Sequence, residues 1–146
     1  MVAVGYIIGF RFQNGLLNAL LAIALVVLFG HAFSWISANI GLRATTAETA
    51  QTAGFIWVFP LVFASSAFVP TSSMPGWLQA FANNQPVTML VNAVRGLALP
   101  PMDPAIAAQI GIADTTRSVI GSLLWIAALL AVFIPLAIRG YRRASA

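Results

Sequence analysis

The sequence predicts an all-α fold: a polytopic α-helical membrane protein with three transmembrane helices and a short re-entrant or interfacial helix pair. Three observations carry this reading. Charged residues make up only 7% of the 146 residues, where a soluble domain averages about 25%. Hydrophobic residues make up 60%, and the mean hydropathy is +0.93. Between Glu48 and Arg95 there is no charged residue at all. That stretch is too long for one crossing, since a bilayer core of about 30 Å needs only ~20 helical residues. A surface this poor in charge has no means of facing water, so lipid must be its solvent.

Met1 to Phe10 is apolar but too short to cross, and reads as the last turns of a crossing whose beginning is absent. Arg11, Gln13, Asn14 and Gly15 form a polar break. The first full crossing runs from about 16 to 40. As a helix it would span roughly 37 Å at 1.5 Å per residue, enough to cross with tilt. Gly41 follows where helices commonly turn left-handed and stop. A signal peptide does not fit: the apolar run is too long and no small-x-small site ends it. Within this crossing lie Asn18, His31, Ser34 and Ser37. A lone His has no second ligand with which to share a metal, so a neutral imidazole bonded between helices is the simpler role.

Gly41 to Gln51 is a short polar connection with Arg43 and Glu48, which reads first as a water-exposed loop. Thr45 or Thr46 is also placed to cap a helix starting at Ala47, with Glu48 in its first turn. The second crossing covers about 52–69. Pro60 lies in its middle and should kink it. Ser65 and Ser66 near its end would bond back to the helix or to a neighbour; a polar lining for a path is the sharper reading. Pro70 ends the helix, and Phe68 just precedes it.

Residues of about 70–100 form the expected re-entrant region. Thr71, Ser72 and Ser73 make a turn, and Pro75 suits the first turn of a helix to Ala82. Trp77, Leu78 and Phe81 fall on one side of it, Trp77 at headgroup level. Asn83, Asn84, Gln85 and Pro86 break the chain. Val87 to Leu99 is amphipathic: Val87, Leu90, Val91, Val94 and Ala98 share one face, Thr88, Asn92 and Arg95 another. Thirteen residues reach only about 20 Å, so this helix dips in without crossing. Arg95 reads as a side chain snorkelling to lipid phosphate, or as one lining a substrate exit. Leu99 to Arg117 is a Pro-rich loop containing Asp103 and Asp114, the latter a cap for the next helix. The third crossing spans about 118–138, with Pro135 in its last turn. Arg139, Tyr141, Arg142 and Arg143 then form an anchor that reads as cytoplasmic. Arg43 joins them inside; Arg11, Arg95 and Arg117 fall outside with Asp103 and Asp114.

Most chemistry is excluded. The seven basic residues are all Arg, scattered at segment ends, which is no nucleic-acid footprint. Without Lys there is no GxxxxGK loop, so the chain is not its own ATPase. One His and no Cys leave no metal, haem or nucleophile constellation. The three acids sit far apart in loops, which disfavours a carboxylate pair. No catalytic, cofactor or metal residue is therefore expected.

The order of motifs in the middle of the chain resembles the C-terminal half of ABC-2 type transporter permeases, in particular the daunorubicin-resistance type of bacterial drug exporters. A crossing ends with Ser66, Phe68, Val69 and Pro70. Met74, Pro75, Trp77 and Leu78 come next, then Pro86, Val87 and Thr88, then Arg95 and Leu97. Leu16 to Gln51 shares in the resemblance. Gln85 departs from it, standing where the family usually has Asn before Pro. The family has six crossings, of which this chain resembles the last three. The resemblance implies a permease subunit in a bacterial plasma membrane that pairs with a second permease copy and a separate ATP-binding subunit. ATP there would drive export of drugs or lipid-like compounds. Residues Ser65, Ser66, Phe68, Trp77, Thr88, Asn92 and Arg95 are the candidates for its path or re-entrant region. The rival reading is a structural or anchoring subunit that transports nothing.

Overall fold

The computed structural model describes residues 13–100, 102–109 and 114–144, together with Val4, Ile7 and Gly9. The expected partial crossing over 1–10 and Arg11 fall almost wholly outside the described residues, as does the side chain of Arg143. Among the described residues every regular element is helical: α1 (Leu16–Gly41), α2 (Ala47–Phe63), a 3-10 turn (Thr71–Ser73), α3 (Gly76–Asn84), α4 (Pro86–Ala98), α5 (Pro104–Gln109) and α6 (Thr115–Ala144).

Two segments, Leu16–Gly41 and Thr115–Arg142, are long and apolar enough to cross a membrane. Their burial separates them from the core helices of a soluble protein. Only 28% and 11% of their most apolar windows are buried. Leu17, Val27, Ile120 and Leu124 point outward, onto a surface that suits lipid or another apolar helix. The expected second crossing is displaced. Its helix starts at Ala47 and ends at Phe63, and its 17 residues reach only about 25 Å. It begins early because Thr46 caps it, Oγ1 accepting from the Thr49 amide at 3.1 Å, with Glu48 in the first turn. Pro60 therefore sits in its last turn rather than its middle. Gly41 adopts no left-handed turn: it is helical, and Leu42 closes α1 in right-handed geometry. Gly15, by contrast, has a positive φ of 85°, which lets the chain enter α1.

The core is a three-helix packing of α1, α4 and α6. Leu25, Phe29 and Ala32 of α1, Ala93 of α4 and Ile126 of α6 form its centre. The short helix α4 thus packs against both long helices. Of its expected apolar face, Val87 and Leu90 pack against the core and Ala98 is buried, while the residue at the centre is Ala93, outside that face. Its expected polar face is also covered, and Thr88 is fully buried. Helix α2 rests lightly on α1 and has no buried residue.

Polar side chains pin the helix ends. Asn14 Nδ2 donates to Gly96 O at 3.3 Å, joining the start of α1 to the end of α4. Asn39 Nδ2 donates to Phe133 O across the α1–α6 seam at 2.9 Å, as well as to Trp35 O in its own helix. Inter-helix bonds of this kind in membranes are worth about 0.6 kcal/mol on average. Asn39→Leu should therefore lower the apparent melting temperature in detergent modestly. A melting temperature equal to the parent's would show that the bond to Phe133 contributes nothing. His31 is exposed, and its Nε2 accepts from Trp35 Nε1 one turn along at 3.2 Å. The expected bond between helices is replaced by one within α1. Asp114 does cap α6, accepting from the Arg117 amide at 2.8 Å. Pro135 lies inside α6, which continues past it to Ala144.

Candidate functional site

The loss of helical geometry after Phe63 builds the site. Ser65 Oγ donates to Val62 O and accepts from the Ala67 amide. Such local bonds give the backbone an alternative to the helix. The chain turns, and Ser65 and Ser66 are carried inward against α4, where both are buried.

There they meet the polar face of α4. The Ser66 amide donates to Thr88 Oγ1 at 3.1 Å, and Ser66 Oγ to Asn92 Oδ1 at 2.8 Å. Gln85, the single residue between α3 and α4, joins the same knot. Its Nε2 donates to Leu61 O at 2.8 Å and Ala64 O at 3.1 Å, and lies 3.3 Å from Thr88 Oγ1. The last carbonyls of a helix have no partner within it. Gln85 supplies one from another element, acting as a C-terminal cap for α2. Since two carbonyls can only accept, the amide orientation is forced. Gln85 Oε1 is then left buried with no partner, at a cost of about 1–3 kcal/mol.

Of the sequence candidates, Ser65, Ser66, Thr88 and Asn92 come together in this knot. Phe68 and Arg95 join Ser66 in lining an adjoining hollow of about 270 Å³, closed by Pro70, Thr71 and Leu99. Asn92 also lines a second, polar hollow of about 380 Å³ with Gln79, Asn83, Asp114 and Arg117. The Ser66–Asn92 bond is thus part of the wall between the two. Trp77 stands apart. It is 77% exposed on α3 and lines neither hollow. Gln85 is the site residue that sequence reasoning missed. Its signal was a long amide side chain immediately before a helix-starting proline in a stretch without charge.

Outside the knot, an aromatic ladder runs along α2 and into the turn after it. Phe55, Phe59, Phe63 and Phe68 succeed one another with ring centroids 5.4 Å apart at each step. The last two steps are stacked, and all four rings are exposed. Phe68 ends the ladder in the wall of the hollow with Ser66 and Arg95. The arrangement offers an apolar slide that ends at hydroxyls and a guanidinium. Among the described residues no cluster of His, Asp and Glu could hold a metal.

The profile of the ABC-2 type transporter family matches residues 1–99. A probable doxorubicin resistance ABC transporter permease, DrrC of Mycobacterium tuberculosis, is 36% identical over 99% of this chain and 48% of its own length. The daunorubicin resistance ABC transporter permease DrrB1 of Streptomyces coeruleorubidus is 34% identical over 99% of this chain and 47% of its own. The chain spans about half the length of these curated relatives. No solved structure matches it.

Proposed function

Because the chain belongs to the ABC-2 type transporter family, a family of membrane-embedded subunits, we propose that it forms the C-terminal membrane part of an export permease. The cargo is a hydrophobic drug or lipid-like compound, and ATP is bound and hydrolysed on a separate ATP-binding subunit. A second permease copy completes the path. The observation that carries this reading is the phenylalanine ladder of α2 running into the Ser66–Phe68–Arg95 hollow. It gives an apolar cargo continuous contact and then a polar place to leave the bilayer. The resistance roles in the relatives' names support the cargo class.

On this reading α2 is the middle one of three crossings, extended to Pro70 by the non-helical turn that the knot satisfies. The Arg-rich end of α6 is cytoplasmic, in keeping with the positive-inside rule. The α3–α4 pair then lies at the outer face. Its test has two readouts. In the full-length permease, a Trp77→Cys variant should react with a membrane-impermeant maleimide added outside intact cells. Reaction only from the cytoplasmic side would remove the topology. With the ATP-binding subunit co-expressed, Phe63→Ala and Phe68→Ala should slow efflux of a hydrophobic dye without lowering the amount of permease in the membrane. Unchanged efflux in both would leave the ladder without a transport role, and favour an anchoring subunit.

A further inference from the structure

A groove of about 610 Å³ opens between the last turns of α1 and α6, away from the knot and its hollows. Ala38 and Gly41 of α1 and Ala137 of α6 line it, and their small side chains leave the space. Trp35 lines it about 9 Å along α1 from Gly41. The Trp35 indole N–H is committed to His31 Nε2 at 3.2 Å, which fixes the ring as an apolar wall. Toward the end of α6 the lining changes to Tyr141 and Arg142. Both make a contact within the chain, and the five N–H donors of a guanidinium let it hold a further oxygen partner besides. The surroundings of that end are basic. Arg43 follows the close of α1 and Arg139 lies one turn before Arg142, while Glu48 is the one acid at this end among the described residues.

We propose that this groove binds one anionic phospholipid as a resident lipid. An acyl chain lies between α1 and α6 against Trp35, and the phosphate meets Arg142 and the Tyr141 hydroxyl. An apolar channel with its positive charge confined to one end matches an amphiphile with its negative charge at one end. Tyr and Arg at the end of a crossing are the side chains that stand at headgroup level. Arg43 and Arg139 add attraction for a headgroup of net negative charge and repel the terminal cation of a zwitterionic one. A helix seated in the groove would fill its apolar part but carry no phosphate to its basic end. The inference rests on the proposed topology only for the leaflet, which is the cytoplasmic one.

The full-length permease, in detergent and without an ATP-binding subunit, is titrated with lipid and read by native mass spectrometry. Dioleoylphosphatidylglycerol should add one tightly held molecule per permease copy. Dioleoylphosphatidylcholine, with the same chains, should bind about tenfold more weakly. Arg142→Gln should weaken phosphatidylglycerol about fivefold, the order expected of one basic residue at a membrane surface. Gly41→Leu should abolish the tight molecule by filling the groove. A Cβ at Gly41 meets nothing within 4 Å, so the fold is spared. Gly54→Leu on α2, equally open, should leave the lipid in place. Glycerol phosphate, which has the headgroup chemistry without a chain, should not displace it. The proposal is overturned if the two lipids bind alike, if Gly41→Leu or Arg142→Gln binds phosphatidylglycerol as the parent does, or if glycerol phosphate displaces it. A groove covered by a second copy or by the rest of the permease would show no tight lipid, and that overturns it too. Binding in detergent has no sidedness and needs no transport. Its failure therefore leaves the maleimide and efflux tests untouched, and theirs leaves a bound lipid standing.

Discussion

Gly96→Ala is expected to destabilise the folded chain by about 1–3 kcal/mol, the usual cost of overpacking a tight contact. Gly121→Ala, also where α4 and α6 meet, should change stability by less than about 1 kcal/mol. The two glycines differ in what a new methyl group would strike. At Gly96 a Cβ would lie 2.8 Å from Thr115 Cβ and also inside the Thr115 hydroxyl. A Cβ is fixed by its backbone, so no rotamer relieves that contact and the helices must part. Close approach through small residues is a main source of helix association in membranes. Parting them here also strains the Asn14 bond to Gly96 O, which holds α1 at the same point. At Gly121 the nearest atom would be Met89 Sδ at 2.9 Å. That is the end of a flexible side chain, and methionine repacks at little cost. The gain of about 0.5–1 kcal/mol from replacing a helical glycine then roughly offsets the adjustment. Apparent melting temperatures in detergent check both variants. A Thr115→Gly second change should restore Gly96→Ala, because it removes the opposing Cβ. Equal melting shifts for Gly96→Ala and Gly121→Ala, or no rescue, would sink this account of the α4–α6 crossing.

Part of this architecture was legible in the residues alone. The charge-free runs located α1 and α6, because exclusion of charge is what lipid demands. Asp114 announced a helix start, and Thr45 or Thr46 offered one as the second reading of a stretch taken first as a loop, since capping is a local bond between near neighbours. The end of α2 was not legible. Hydropathy continues smoothly through Val69, while the backbone leaves the helix at Ala64 under the pull of the Ser65 hydroxyl. The short helix α5 was hidden in a loop by its prolines, although Asp103 caps the Ala105 amide at 2.8 Å. The polar side of α4 was seen as a face, but its partner was not. Periodicity shows that Thr88 and Asn92 share a side, and says nothing of what covers it. Ser65 and Ser66 were candidates as separate hydroxyls; only the fold makes them one knot with Thr88 and Asn92. Gln85 stayed invisible because the carbonyls it caps lie more than twenty positions before it in the chain.

Gln85→Leu is expected to destabilise the chain by about 2 kcal/mol, the net of two opposed terms. The loss is the cap on Leu61 O and Ala64 O, two carbonyls that α2 cannot satisfy internally. Thr88 Oγ1 also loses a neighbour, though it keeps the Ser66 amide. The gain is removal of the unpartnered Oε1 from a buried place. Two orphaned acceptors outweigh one, so the sign is destabilising. The damage should be local before it is global, because α2 otherwise holds to the bundle only lightly and buries no residue of its own. Freed of its cap, the Ala64–Ala67 turn should loosen while α1, α4 and α6 stay packed. A Ser65→Cys reporter, buried in the parent, should then react faster with a membrane-permeant maleimide on the Gln85→Leu background. A cysteine at Ile126, in the centre of the core, should not. Gln85→Asn, one methylene shorter, keeps the donors but shortens their reach, and should fall between parent and leucine. If Ser65→Cys and Ile126→Cys gain reactivity together, the knot serves the whole bundle rather than the end of α2. If neither does, the Gln85 amide is not what holds α2 against the α3–α4 pair.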